Sequence, residues 1–399
     1  MKAIKILALM GSRSLFGAER ANVDLLWRMQ QRGAEVLCLV RHEDWPENIA
    51  MRAALTARGL AWEPAPFPDY PSIRYWRYWL RVAIETPWRY WRLNRSAEQA
   101  ILRRGFTHLH LFNPFQAASL RRAITRTNIP VVYRCGEVPV SHNAFFRTIW
   151  GWLAQRITKF VAESDFLKQL LLDMDVEESK IVVVRTPAPA RSVTTISSNP
   201  LFHSPRKSLR FAYLGQISEF KGLRVLVAAF RVVLSEFPDA QLCIAGPIES
   251  AFAKALVAEC EPFIQAGSIA FLGSIDDVDA YLLACDVHLA PSLNPEGYGL
   301  VVVEAKAAGL PSIVFAEGGL AELVVDEQEG IALTEKSPRA LADAVLTYCR
   351  DPARAKADGG RARASLTNRL KVHQHDDAWW KVYVETAADG SRQTHGDRR

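Results

Sequence analysis

The chain has 399 residues, 49% of them apolar and 23% charged, with a net charge of +6. Its length suggests two domains, and its composition is ordinary for a soluble globular protein. The absence of any eighteen-residue apolar run argues against a transmembrane helix. The six scattered cysteines, without a C-x-x-C, argue against structural zinc and for a reducing cytosol.

In chain order, MKAIKILALMG reads as a first strand, too short for a signal peptide and without a cleavage site. GSRSLFGAER (11–20) follows, without the G-x-G-x-x-G that a nucleotide oxidoreductase needs. AEVLCLV, HLHLF, VVYR, FVAE and IVVV continue the strand rhythm, with helical stretches between them. HLH sets His108 and His110 on one strand face, as two metal ligands would lie, but with no third ligand evident they read as a cleft-lining strand end. The acidic DMD (173–175) reads as a solvated helix end, and no metal is expected.

Residues 1–190 carry 27 Lys and Arg against 17 Asp and Glu, a net +10, while the remainder is −4. Much of that charge lies in YPSIRYWRYWLRVAIETPWRYWRLNR (70–95). On a helix, Arg74, Arg77 and Arg81 share one face and Trp76 and Trp79 another, with Pro87 ending or kinking it. Trp, Tyr and Arg together suit the headgroup boundary of an anionic membrane; the alternative is an aromatic cover for the sheet with arginines facing water. FFRTIWGWLAQR (145–156) is a smaller patch of the same kind. No nucleic-acid module accompanies this composition, so no nucleic-acid partner is expected.

A Pro/Ser/Thr-rich stretch separates this half from a second run of strands, RFAYLG, QLCIAG, SIAFLG, VHLAPS and SIVFA. The expected organisation is a domain over 1–188, a linker over 189–208, a second domain over 209–370, a helix over 371–388 packing back on the first domain, and a disordered tail over 389–399. HQHDD (373–377) leads into that last helix. Alternating strands and helices predict doubly wound parallel sheets, with ligands at the carboxyl ends of the strands.

EGYGLVVVEAKAAG (296–309) joins two of these strands and starts a helix at its glycines. Free N–H groups and the positive helix end make that point an anion site, and Gly297 and Gly299 remove β-carbons from it. Glu304, ~7 Å further along the axis, is too far for the same phosphate and suits sugar hydroxyls. A glycine turn with two solvated glutamates remains the alternative.

Several pieces together resemble glycosyltransferase family 4, retaining enzymes of the GT-B fold. PEGYGLVVVEAKAAGLPSIVFAEGGLAELV (295–324) is similar to that family's Glu-x7-Glu block. FAYLGQISEFKGLRVLVAAF (211–230), LFGAERANVDLLWRMQQRGAEV (15–36) and ITKFVAESDFLKQLLLDMDVEESKIVVV resemble further segments in the right order.

The resemblance implies two Rossmann-like domains facing a central cleft, with a UDP- or GDP-sugar held mainly by the second. Carried over, Glu304 would bind ribose, and the amides of Gly297, Tyr298, Gly299 and Leu300 would hold the diphosphate. Lys221 would neutralise that charge, and Glu296 would sit beside the donor sugar. Gly215 and Gln216 would line the nucleotide, and Gly17 would approach from the first domain. Glu296 and Lys221 are the expected catalytic residues, with no cofactor and a glycan or lipid-linked acceptor. The expected setting is the cytosol or the inner membrane face.

Gln216 stands where the family often has Arg, leaving Lys221, helped by Arg134 or Arg185, to carry the phosphate charge. CGEVPVSH replaces a common His-Asp, with Glu137 or His142 as stand-ins, and RTP replaces an Asn-Gly after IVVV. These departures leave room for a catalytically silent nucleotide-sugar or membrane-binding protein, or for a sugar-nucleotide epimerase of the same fold.

Overall fold

The computed structural model describes residues 3–12, 15–68, 79–139, 144–188, 208–324 and 328–396. The chain divides into two compact units, 1–186 with 372–399, and 187–371.

The first unit is built on seven strands: β1 (Lys5–Met10), β2 (Glu35–Arg41), β3 (Ala61–Ala65), β4 (His108–Leu111), β5 (Val131–Cys135), β6 (Lys159–Ala162) and β7 (Ile181–Val183). They form one sheet in the order β3-β2-β1-β4-β5-β6-β7, and every pairing is parallel. Successive side chains of a strand point to opposite faces. Leu7 and Leu9 therefore enter one core layer, while Ile6, Ala8 and Met10 enter the other. Burial on both faces explains why these strands are apolar throughout rather than alternating.

The second unit repeats the plan with β8 (Arg210–Leu214), β9 (Gln241–Ala245), β10 (Ile269–Gly273), β11 (Val287–Ala290), β12 (Ser312–Phe315) and β13 (Gly330–Leu333). Their order is β10-β9-β8-β11-β12-β13, again wholly parallel. In each unit the strand order reverses once, between β1 and β4 and between β8 and β11. A crevice opens at such a reversal, at the carboxyl ends of the strands.

Two strands escaped the sequence pattern, and both lie at sheet edges. AWEPA of β3 is half polar and contains Pro64, which an edge strand tolerates because one side of its ladder is unpaired. GIAL of β13 is only four residues long.

The helix Trp79–Arg104 runs through Pro87 instead of ending there. Pro87 is on its exposed side, where water can satisfy backbone that proline frees. Of the segment expected to meet a membrane, Arg74, Trp76 and Arg77 lie outside the described residues. Trp79 and Arg81 fall in the first turn of this helix.

The terminal helix Val372–Gly396 belongs to the first unit. HQHDD forms its opening turns rather than a lead-in: Asp376 pairs with Arg28 at 3.6 Å, and Asp377 pairs with Arg32. The helix also continues through 389–396, where a disordered tail was expected. Gly390 alone in a helix interior costs ~1 kcal/mol and does not stop it.

His108 and His110 are fully buried beneath this helix and do not line a cleft. The Tyr383 hydroxyl lies 2.8 Å from His110 Nδ1, and His110 Nε2 lies 3.0 Å from Asn22 Oδ1. The Asn22 amide nitrogen donates to the Ala18 carbonyl at 2.9 Å, so Oδ1 is an acceptor and His110 must donate from Nε2. Tyr383 therefore donates to Nδ1 of a neutral imidazole. Burial agrees with that state, lowering His108 to a pKa of about 4 and His110 to about 3.

Candidate functional site

Three loops meet at the reversal point of the second sheet. The loop after β8 carries Gly215, Gln216 and Lys221, and the loop after β11 carries Glu296, Gly297, Tyr298 and Gly299. The loop after β12 carries Glu317, Gly318 and Gly319.

Main-chain bonds join them. The Phe220 carbonyl accepts from Leu293 N at 2.9 Å, and Gly319 N donates to the Glu296 carbonyl at 2.7 Å, beside a parallel bridge between Glu296 and Gly318. Close approach demands glycine in these loops, as Gly222 and Gly299 show. Gly222 has φ +74°, and a β-carbon there would lie 1.9 Å from the Pro291 carbonyl oxygen. Gly299 has φ +98°, and its β-carbon would lie 2.4 Å from Leu320 Cδ2. The second glycine of Gly-x-Gly thus serves packing and a left-handed helix entry, in addition to any access it gives a ligand.

The helix Leu300–Ala308 starts from Gly299, so its first N–H groups point out at this junction without intrahelical acceptors. Lys221 Nζ stands 2.9 Å from Glu296 Oε1, with Lys221 34% and Glu296 17% exposed. Ser292 Oγ donates to the same carboxylate oxygen. Glu304 is half-buried further along the helix, about one and a half turns from its start.

Below the loops, the Tyr213 hydroxyl donates to the Gln216 carbonyl at 2.7 Å. Burial, and then the Glu296 charge, hold its phenol well above the usual range, so it remains a donor. Ammonium, helix N–H groups and flanking carboxylates converge here, an arrangement able to hold an anion at the helix start and hydroxyls beside it.

Gly215, Gln216, Lys221, Glu296, Gly297, Gly299, Leu300 and Glu304 all lie around this junction. Gln216 is exposed. Tyr298 is there only through its backbone, because its side chain is buried in a core cluster with Val302, Val303 and Leu320. Gly17 opens the helix Gly17–Gln31 of the other unit.

Arg134 and Arg185, also in the first unit, have partners of their own. Arg134 is buried against Glu163, donates to Ala18 O at 3.0 Å and reaches Thr186 Oγ1 at 3.2 Å, while Arg185 pairs with Asp165. A guanidinium so fully engaged is poorly placed to neutralise a phosphate. Glu137 is exposed, and His142 lies outside the described residues.

Sequence reasoning missed Ser292 and the pair Lys336–Glu317. Lys336 Nζ also donates to the Leu293 carbonyl at 2.7 Å, tying the loops after β11, β12 and β13 together. A lone Lys and Glu nineteen positions apart carry no spacing signal that would have revealed this. Among the described residues no group of three or more His, Cys, Asp or Glu side chains could hold a metal ion.

Two family patterns match the chain over nearly all of these elements. Residues 17–190 match Glycosyltransferase Family 4, and residues 202–364 match Glycosyl transferases group 1. The chain belongs to glycosyltransferase family 4. It is 26% identical over 330 residues to the lipopolysaccharide core biosynthesis mannosyltransferase LpcC of Rhizobium leguminosarum bv. viciae, covering 80% of this chain and 86% of LpcC. It is 32% identical over 212 residues to the phosphatidyl-myo-inositol mannosyltransferase of Mycobacterium leprae, covering 50% and 53% of the two chains. Among solved structures, Anabaena Alr3699/HepE in complex with UDP and glucose superposes with a TM-score of 0.77 at 18% identity, over 96% of this chain and all of that one. The fold of this glycosyltransferase is accordingly GT-B, each Rossmann-like unit being one of its two domains.

Proposed function

We propose that this glycosyltransferase moves a sugar from a UDP- or GDP-sugar to a glycan or lipid-linked acceptor, with retention of configuration and without a metal. The observation that carries the reading is the convergence of Lys221 and Glu296 on the N-terminus of the helix Leu300–Ala308. The mannosyltransferase relatives and the UDP-bound HepE structure support a nucleotide-sugar donor and a glycan or glycolipid product.

The donor diphosphate would take the helix N–H groups of Gly299 and Leu300, with Lys221 turning from Glu296 to a phosphate oxygen. Glu304 would accept from the ribose hydroxyls, and Glu296 would accept from the donor sugar. As the bond from anomeric carbon to phosphate oxygen breaks, both electrons leave with the diphosphate. Lys221 and the N–H groups stabilise that charge in place of a divalent cation. The acceptor oxygen then bonds to the anomeric carbon and gives its proton to the departing diphosphate oxygen. Glu296 keeps the hydrogen bond from Ser292 and would accept from the donor sugar, which makes it a weak nucleophile and favours a route without a covalent sugar–enzyme bond.

The test is incubation with UDP- and GDP-sugars, with and without chelator, following nucleotide release and the anomeric configuration of the product by NMR. Chelator-resistant release with a product anomer matching the donor is expected. Nucleotide binding with no sugar release would favour the silent alternative, and a donor converted to its epimer would favour an epimerase.

A further inference from the structure

The helix Trp79–Arg104 carries a face that the donor site does not use. From residue 88 onward its side chains separate by helical angle. Arg89, Leu93, Asn94, Ala97, Ala100 and Ile101 are buried. Trp88, Trp91, Arg92, Arg95, Leu102 and Arg103 are exposed. At ~100° and ~1.5 Å per residue, the exposed set occupies an arc of about 120° along roughly 22 Å of helix. Trp88 is 51% exposed, Trp91 43% and Leu102 71%, apolar points on a line that also carries Arg92, Arg95 and the exposed Gln99.

The guanidiniums are arranged along that line. Arg92 Cζ stands 4.9 Å from the Trp88 ring centroid, and Arg95 Cζ stands 5.2 Å from that of Trp91. Each stacked pair holds a guanidinium over an indole with its N–H edge free to meet an oxyanion. The one carboxylate between residues 88 and 103, Glu98, is at the margin of the face and is occupied by Arg122 at 3.1 Å and Arg126 at 3.7 Å. Between residues 88 and 103 the helix therefore presents three arginines on this face, with its one acid engaged elsewhere.

We propose that this face docks the protein on an anionic lipid surface, with the helix lying in the plane of the headgroups. The indoles and Leu102 would enter the boundary with the acyl chains, and Arg92, Arg95 and Arg103 would meet lipid phosphates. Water-facing arginines alone would explain the charge but not the exposed indoles and Leu102. A nucleic acid would use the charge and the rings, but Leu102 offers it nothing to stack on. No described helix is long and apolar enough to cross a membrane, so the attachment is to the surface. The docking rests on the proposed reading only for its purpose, the delivery of a membrane-borne acceptor.

The test is co-sedimentation of the full chain with phosphatidylcholine vesicles, with and without phosphatidylglycerol, across a salt series. Nucleotide binding is measured separately by calorimetry. Binding to phosphatidylglycerol vesicles that fades with salt is expected. Arg92→Gln with Arg95→Gln should weaken it about thirtyfold, from ~1 kcal/mol per arginine. Trp88→Ala with Trp91→Ala, and separately Leu102→Gln, should remove the part that survives high salt, with circular dichroism unchanged.

Wild type that ignores phosphatidylglycerol vesicles at low salt overturns the proposal. So do variants that bind as wild type does, tryptophan variants that unfold, or tighter binding to a single-stranded oligonucleotide with the same arginine dependence. Vesicle binding without nucleotide binding would leave the docking standing and remove the donor reading, and the reverse result would remove the docking alone.

Discussion

Lys221 and Glu296 form an ion pair that is partly open to water, and such pairs contribute only ~0–1 kcal/mol. A diphosphate bearing two negative charges beside a helix N-terminus should displace Glu296 from Lys221 easily. Lys221→Ala should therefore weaken UDP or GDP binding far more than uridine or guanosine binding in calorimetry. Equal losses would mean that Lys221 does not touch phosphate. Glu304→Gln should cost ~1–3 kcal/mol of nucleotide binding, the scale of a hydrogen bond to a charged group. Gly222→Ala tests the scaffold instead. Its β-carbon would collide with the Pro291 carbonyl, so the loops holding Lys221 and Glu296 must separate. Nucleotide affinity should fall together with thermal stability; loss of neither would show that the loops adapt.

At the scale of elements, the terminal helix is tied to the first sheet by a polar chain inside an apolar layer. Tyr383 donates to His110, His110 to Asn22, and Asn22 to the Ala18 carbonyl, which Arg134 also engages. Tyr383→Phe leaves Nδ1 of His110 as a buried acceptor without its donor, which costs ~1–3 kcal/mol. Urea denaturation should show that loss with an unchanged slope. A loss near zero would mean that water replaces the hydroxyl. These bonds reach Ala18 in the first turn of the helix Gly17–Gln31, so the terminal helix and that turn belong to one hydrogen-bonded network.

For the whole molecule, three buried histidines give a pH dependence whose sign is determined. His108 and His288 are lowered to about 4 and His110 to about 3, chiefly by burial. Below ~6.5 the unfolded chain takes up protons that the folded one refuses until pH ~3–4. Stability should therefore be full above ~6.5 and fall as the pH drops towards 4. Each histidine should contribute ~3 kcal/mol to that fall, because every pH unit separating its folded and unfolded pKa is worth ~1.36 kcal/mol. Urea midpoints between pH 7 and pH 4 read this directly, and His288→Leu should flatten the curve by one histidine's share. A wild-type curve flat over that range would show that these rings are not kept neutral.

The two doubly wound sheets, and the helix that starts at Gly299, were legible in the sequence because local pattern carries them. Strands buried on both faces are apolar runs, and a helix started by glycines after a strand presents free N–H groups whatever surrounds it. Glu296 and Glu304 stand out by their spacing around those glycines, whereas Lys221 was named only through the family resemblance. Partners far apart in the chain were not legible. His108 and His110 looked like a cleft wall until the terminal helix was seen to cover them, and Arg134 looked available until Glu163 was seen to hold it. Pro87 was expected to end or kink its helix, and the helix does not end there, because packing of the buried side outweighs one lost backbone bond. The exposed line from Trp88 to Arg103 was mixed with core residues of the same type. Which face of a helix meets water depends on what lies beneath it, and only the tertiary structure sets that.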